Sequence, residues 1–286
     1  MSRGIAKGEE MVKILIVIFS ATGNTAKMGE VIQDELAQLG AHPEQKDITL
    51  YEDRKNPLDL TPYHAVIFGF PIHAKRAPRI VREWLDTLDG QEKFCATFFT
   101  FGGFKTHPAH FSTREILKNR GFDFVSSAEF LAKHTFNIGG WSALENRPDE
   151  SDFEVAKEFA RQTYKRFSGE DSGRPGKFDK PELTPEQLDN GEKITFSKIM
   201  TQLPTRMGAD CSLCMICEEL CPTHAMNAEM GEVSEKEKCI GCLRCIDNCP
   251  EDALSINDLN PIWPMVLERL KETEESIGNK RSKIYL

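Results

Sequence analysis

One pattern, written twice, constrains this chain more than anything else in it. Cys211, Cys214, Cys217 and Cys221 follow the spacing Cys-x-x-Cys-x-x-Cys-x-x-x-Cys and are closed by Pro222. Cys239, Cys242, Cys245 and Cys249 repeat it 28 positions later and are closed by Pro250. An iron–sulfur cube of the 4Fe–4S kind needs four thiolates at its corners; two-residue spacers let a tight loop wrap three of them while a separate segment brings the fourth. Where two cubes share a chain, the last Cys of each run crosses to the other cluster. Cys211, Cys214, Cys217 and Cys249 then hold one, and Cys239, Cys242, Cys245 and Cys221 the other. Paired zinc sites and a disulfide framework are the alternatives, but zinc sites show two Cys-x-x-Cys pairs without the third thiolate and the closing Cys-Pro. Two cubane clusters are the expectation.

At 286 residues the chain exceeds the usual single-domain size, so two domains are expected. Eight of the nine cysteines lie in the two runs and only Cys95 stands elsewhere, in a strand-like stretch where a small core residue is the ordinary reading. Thiolates kept free for iron imply a reducing compartment, hence a cytoplasmic protein. The opening residues carry no secretory pattern, and the apolar run VKILIVIF is too short for a membrane span. A net charge of −9 argues against nucleic acid as the main partner. From Thr205 to Asp258 eleven acidic residues stand against four basic ones, a balance of −7, so most of the acidity sits around the cysteines. Such a face could steer basic patches on redox partners, or simply keep the protein in solution.

Ahead of the cysteines the pattern is different. Residues 12–19 form a continuous apolar, β-branched run that reads as a buried parallel strand. Ser20, Ala21, Thr22, Gly23, Asn24 and Thr25 follow, and then a helical pattern through Met28, Val31, Ile32, Leu36 and Leu39, closed by Gly40. Strand, hydroxyl-rich glycine turn and helix together aim N–H groups and hydroxyls at a helix N-terminus, where donors and the helix dipole hold a phosphate well. The turn is neither a Walker loop nor a Gly-x-Gly-x-x-Gly loop. Further strands are expected at 42–49, 65–70, 94–101 and 122–131. Helices are expected from Ile80 to Leu88, from about Ser112 to Asn119, and from Asp152 to Phe167. Strands alternating with helices imply an α/β fold with a doubly wound parallel sheet, with the ligand at the carboxyl ends of the strands.

The turn at Ser20–Thr25 closely resembles the phosphate loop of flavodoxins. Gly69, Phe70, Pro71, Ile72, His73 and Ala74 look like their second flavin loop, and Thr100, Phe101, Gly102, Gly103 and Phe104 look like the third. The resemblance covers about residues 12–168. It implies a flavodoxin-like five-stranded doubly wound sheet that binds FMN, with the phosphate on the first loop and the isoalloxazine ring between the second and third. Coupled to the cysteine runs, the whole chain resembles the flavodoxin-fused two-cluster ferredoxins of anaerobes. His73 stands where many flavodoxins place a stacking aromatic. Lys75 and Arg76 follow it, either tuning the flavin or forming a solvated basic pair, the second being preferred. His64, His107, His110, His134 and His224 make no recognisable ligand pattern, and Trp141 is expected to pack.

The expected organisation is a flavodoxin-like domain over 11–168, a linker over 169–204, a two-cluster ferredoxin domain over 205–258 and a helical tail over 259–286. The linker is rich in Gly, Pro and charge. The ferredoxin domain has so little core that its clusters must supply much of its folding energy. Leu213 occupies the position where the second run has Gly241, which puts the backbone of the first loop in question. The expected function is an iron–sulfur flavoprotein carrying electrons between low-potential redox partner proteins, with no catalytic acid–base constellation. The alternative is an FMN-dependent reductase of a small molecule fed by its own clusters; a cluster-sensing regulator is the third class.

Overall fold

The structure is a computed structural model and describes residues 12–196, 202–208 and 210–286. Its first half alternates strand and helix: β1 (Lys13–Ile18), α1 (Asn24–Gln38), β2 (His42–Asp47), β3 (Ala65–Pro71), α2 (Arg79–Leu85), β4 (Phe94–Phe101), α3 (His107–Asn119), β5 (Asp123–Leu131) and α4 (Glu150–Phe167). β1 shows why the sheet is buried on both sides. Leu15, Val17 and Phe19 pack toward Val81, Trp84 and Leu85 of α2 and Leu117 of α3. Ile14, Ile16 and Ile18 pack toward Met28, Ile32 and Leu36 of α1 and Phe159 and Phe167 of α4. A strand with helices on both faces has no polar side to alternate with, hence the unbroken apolar run.

The five strands pair in parallel in the order β2-β1-β3-β4-β5, the flavodoxin-like winding. A sixth strand, absent from the sequence expectation, comes from the far end of the chain. β10 (Lys283–Tyr285) runs antiparallel to β5, pairing Lys283 with Glu129 and Tyr285 with Ser127. Tyr285 Oη donates to Glu129 Oε2 (2.9 Å), and Nε2 of the buried His110 lies 3.1 Å from the same oxygen. Burial alone would raise the Glu129 carboxyl, but its hydrogen bonds to His110, Thr106 and Tyr285 outweigh that and hold it below its ordinary value. Helix α3 starts five residues earlier than expected, because Pro108 sits in the first turn, where its fixed φ and missing N–H cost nothing.

The segment expected as a structureless linker contains α5 (Pro185–Phe196). Glu192 on α5 is 7% exposed; it accepts from Arg76 (3.1 Å) and Arg82 (2.8 Å), and Asp189 accepts from Arg76 at 2.5 Å. The expected solvated basic pair is therefore split. Lys75 is exposed, whereas Arg76 is 5% exposed and held by two carboxylates from a helix 113 and 116 residues away. Of the rest of the expected linker, residues 193–201 lie outside the described side chains.

The cysteine-rich unit is built from very short pieces. These are β6 (Thr205–Arg206), α6 (Ile216–Glu219), β7 (Met226–Asn227), β8 (Glu232–Val233), α7 (Arg244–Asp247) and β9 (Leu254–Ser255), the four strands ordered β7-β8-β6-β9. The single tail helix expected over Pro261–Ile277 is two, α8 (Trp263–Leu270) and α9 (Glu274–Gly278), broken at Lys271 with φ 55°. The tail lies against the first unit: Trp263 and Leu267 pack with Phe136 and Trp141, and the Trp141 indole donates to the Leu259 carbonyl (3.1 Å). Trp141 is thus a packing residue. Among the described residues no helix is long and apolar enough to cross a membrane.

Candidate functional site

A cleft opens at the carboxyl ends of the strands, where the order reverses between β1 and β3. Its walls gather residues from all three loops singled out in the sequence: Ser20, Ala21, Thr22, Asn24 and Thr25; Pro71, Ile72, His73 and Ala74; Phe101 and Gly102. Gly23, Gly103 and Phe104 stand outside the lining. Gly23 is the N-cap of α1, Lys280 Nζ donates to the Gly103 carbonyl, and the Phe104 ring packs edge-on against Trp141 and Trp263.

Hydrogen bonds tie Ser20–Thr25 both to itself and to distant segments: the Ser20 N–H donates to Thr49 Oγ1 (2.7 Å) and Asn24 Nδ2 to the Lys133 carbonyl (3.4 Å). Ser20 Oγ accepts from the Ala26 N–H (3.0 Å), and the Thr25 and Thr100 hydroxyls share a bond of 2.7 Å that ties the first loop to the third. The N-cap of α1 is Gly23, which has no side chain to cap with, and Ser20 Oγ occupies only the Ala26 N–H. The N–H groups ahead of Ala26 can face an anion, with the positive end of the helix dipole behind them.

A fourth loop, missed in the sequence, completes the cleft. Ala132, Lys133, His134, Thr135 and Phe136 follow β5 and line the cleft beside the first loop, joined to it by the Asn24–Lys133 hydrogen bond. The rule that ligands sit beyond strand carboxyl ends could have flagged them; the scattered-histidine reading hid His134. Its Nδ1 accepts from the Phe136 N–H (3.0 Å), which leaves the proton of the neutral ring on Nε2. Gly102 has to be glycine because a Cβ there would fall 2.3 Å from Cδ2 of the His134 ring. Burial pushes His134 down to about 3, with His73 as a second cause, and pushes His73 down to about 4. Both imidazoles are neutral at physiological pH. Cys95, fully buried in β4 with its thiol pushed far up by burial, takes no part.

In the cysteine-rich unit the two runs are structural copies. Leu213 and Gly241 have φ of 57° and 62°, Met215 and Leu243 64° and 57°, and His224 and Asp252 52° and 50°. Leu213 thus adopts the left-handed conformation that Gly241 takes without strain. The closing cysteines match as well. Cys221 Sγ accepts from the Ala225 N–H and Cys249 Sγ from the Ala253 N–H, each at 3.3 Å.

The grouping of thiols is crossed. Cys211, Cys214, Cys217 and Cys249 line one pocket. Cys221 stands near enough to Cys239, Cys242 and Cys245 to raise all three thiols. Burial is the larger cause and pushes Cys239 up to about 11 and Cys242 up to about 12. Thiols so buried ionise only beside a strong positive charge, as iron provides. No trio of His, Cys, Asp or Glu among the described residues closes on a single metal ion. Eight thiols in two crossed quartets fit a pair of polynuclear clusters.

The quartets differ in surroundings. Cys214 is exposed, and Cys211, Cys217 and Cys249 are partly so, whereas Cys221, Cys242 and Cys245 are each 9% exposed or less. The second quartet, with only Cys239 partly exposed, lies against the first unit. Ile240 and Cys242 join its core, and Gly241 forms part of the cleft wall. Further contacts seat the unit. Arg54 donates to the Pro222 carbonyl, Arg79 to the Glu237 carbonyl (2.7 Å), and Tyr51 lies 4.5 Å from His224, ring to ring.

Comparison with known proteins divides the same way. Residues 208–259, the segment holding both quartets, match the LdpA Fe-S cluster-binding domain. No curated protein matches the chain. Among solved structures, the flavodoxin of Streptococcus pneumonia TIGR4 is 16% identical, with 54% of this chain and 99% of that one covered and a TM-score of 0.41. Flavodoxin 2 from Bacillus cereus is 20% identical, with 55% and 100% covered and a TM-score of 0.43. An archaeal flavodoxin is 16% identical, with 56% and 98% covered and a TM-score of 0.41. These are likenesses; the strand order defines the fold.

Proposed function

We propose that the chain is an iron–sulfur flavoprotein that carries electrons between low-potential redox proteins through FMN and two 4Fe–4S clusters. Ser20–Thr25 would take the phosphate, and the loops at Pro71–Ala74, Phe101–Gly102 and Ala132–Phe136 would enclose the ring. Cys211, Cys214, Cys217 and Cys249 would hold one cluster, and Cys239, Cys242, Cys245 and Cys221 the other. When bound, the flavin exchanges one or two electrons and each cluster one, and the chain's part is to bind, orient and exclude water. The work belongs to a reducing compartment, the cytoplasm.

One observation carries this reading: the quartet with three buried thiols abuts the cleft through Gly241, while the other quartet reaches the surface with Cys214 exposed. Such an order gives a route with an inner and an outer end. A reductase acting on a small molecule is the second reading, and the observation in its favour is the wall of neutral imidazoles, His73 and His134, at the cleft.

Anaerobic reconstitution tests the first reading. The protein is expected to hold about eight iron atoms per chain and to release FMN on denaturation. Photoreduction of the flavin should bleach the cluster absorbance within the same molecule. Iron near half that value, or flavin and clusters that never equilibrate, overturns it. Thr22→Val should weaken FMN binding, and unchanged affinity removes the phosphate assignment from the first loop.

A further inference from the structure

Arg244 is the only Lys or Arg inside either cysteine run, lying between Cys242 and Cys245. The corresponding position of the first run, 28 residues earlier, is Ile216. The Arg244 side chain reaches out of its own unit, donating from Nη1 to the carbonyls of Ser20 (3.2 Å) and Ala21 (2.8 Å). Its Nε is buried without a partner. A peptide is planar and trans, so an amide's N–H points opposite to its C=O. Holding the Ser20 and Ala21 carbonyls on the Arg244 side therefore turns the N–H groups of Ala21 and Thr22 away from it, and both residues line the cleft. The same guanidinium is near enough to Cys242 to favour its thiolate. A buried guanidinium nitrogen without a partner is costly unless anions stand near the charge, and Arg244 lies between the Ser20–Thr25 loop and Cys242.

We propose that Arg244 is a positioning residue shared by both sites: it aims the N–H groups of the Ser20–Thr25 loop at the flavin phosphate and serves as counter-charge to the inner cluster alone. Reduction adds one negative charge to a cluster, so a fixed cation beside it favours the reduced form. Because one side chain serves both ligands, phosphate binding and reduction of the inner cluster are linked, and the linkage is reciprocal. Ile216 gives the outer cluster no such link. This inference rests on the reading under Proposed function and adds an asymmetry which that reading does not require.

The test uses anaerobically reconstituted holoprotein. Iron, sulfide and FMN content of the wild type are measured first; a deficit there counts against the proposed function and leaves the role of Arg244 to be judged on the loaded fraction. In Arg244→Gln, FMN dissociation, followed by flavin fluorescence, should strengthen in rate and equilibrium constant by about tenfold, the loss of one charge-assisted contact set. In a redox titration followed by electron paramagnetic resonance, one cluster should move to lower potential while the other stays. Arg244→Lys keeps the charge and loses the fork, so it should restore the potential but not the FMN affinity. Unchanged potentials in Arg244→Gln, equal movement of both clusters, or a Lys variant with a potential as low as that of Gln overturns the proposal. A purely structural clamp would give the last of these.

Discussion

The two cysteine runs are the same backbone placed in two environments. They share spacing, three left-handed positions and an N–H···S bond on the closing cysteine. One faces solvent, whereas the other is pressed against the core of the flavodoxin-like unit. Local sequence fixes how a loop wraps a cube, and the surrounding chain decides how wet and how charged the cube is. Exposure and hydrogen bonding are the levers that set cluster potential. The copies are therefore alike in backbone and different in surroundings.

The largest effect should come from removing iron and sulfide. Strands and helices of two and four residues around a small apolar cluster cannot fold alone. Chelation is expected to abolish hydrogen-exchange protection over 205–258 while β1, β3 and β4 stay protected; persisting protection in both runs would mean that the loops do not depend on their cubes. Single ligand changes sharpen the contrast. Cys217→Ala and Cys242→Ala should each lose about half the iron. Only Cys242→Ala, which opens the packing beside Ile240, should also weaken FMN retention and lower the melting temperature of the first unit. Equal effects would erase the distinction between inner and outer quartets.

Acid should act from the inner side. His73 and His134 are held neutral, at about 4 and about 3 in the folded chain against about 6.5 unfolded. The unfolded chain thus binds more protons below about pH 6.5, and stability is lost as pH falls toward those values. Each ring accounts for up to about 1.4 kcal/mol per pH unit. The urea midpoint of flavin release should fall from pH 7 to pH 5, and more shallowly in His134→Asn. The smallest effect concerns the loops themselves. A non-glycine residue in the left-handed region costs about 1 kcal/mol. Leu213→Gly should therefore delay loss of the outer cluster in guanidinium slightly, and Gly241→Ala should hasten loss of the inner one.

Much of this arrangement is visible in the residues. The unbroken apolar run of β1 announces a strand buried on both faces, and the cysteine spacing announces the segment that matches an Fe-S cluster-binding domain. What stayed hidden is held by long-range charge and edge pairing, which no local period records. Arg76 looks like a loop cation until α5 brings Glu192 to it. His134 looks isolated until the turn after β5 sets it beside Gly102. Lys283–Tyr285 is too short to read as a strand, and its place is decided by the free edge of β5. The inward turn of the second run has a faint signal after all, in Arg244 where the first run has Ile216.

The antiparallel seam between β5 and β10 has a consequence for how the protein is made. In chain order, the cysteine-rich unit lies between the fifth strand and the sixth, so a nascent chain must synthesise its entire metal-binding portion before the sheet can be closed. Until residues 283–285 leave the ribosome, β5 presents a bare edge of the kind that recruits foreign strands, and Glu129 lacks the tyrosine hydroxyl. Sheet closure is thus delayed until the cysteine-rich unit has been synthesised, and a translation stall after the second cysteine run would leave the β5 edge bare.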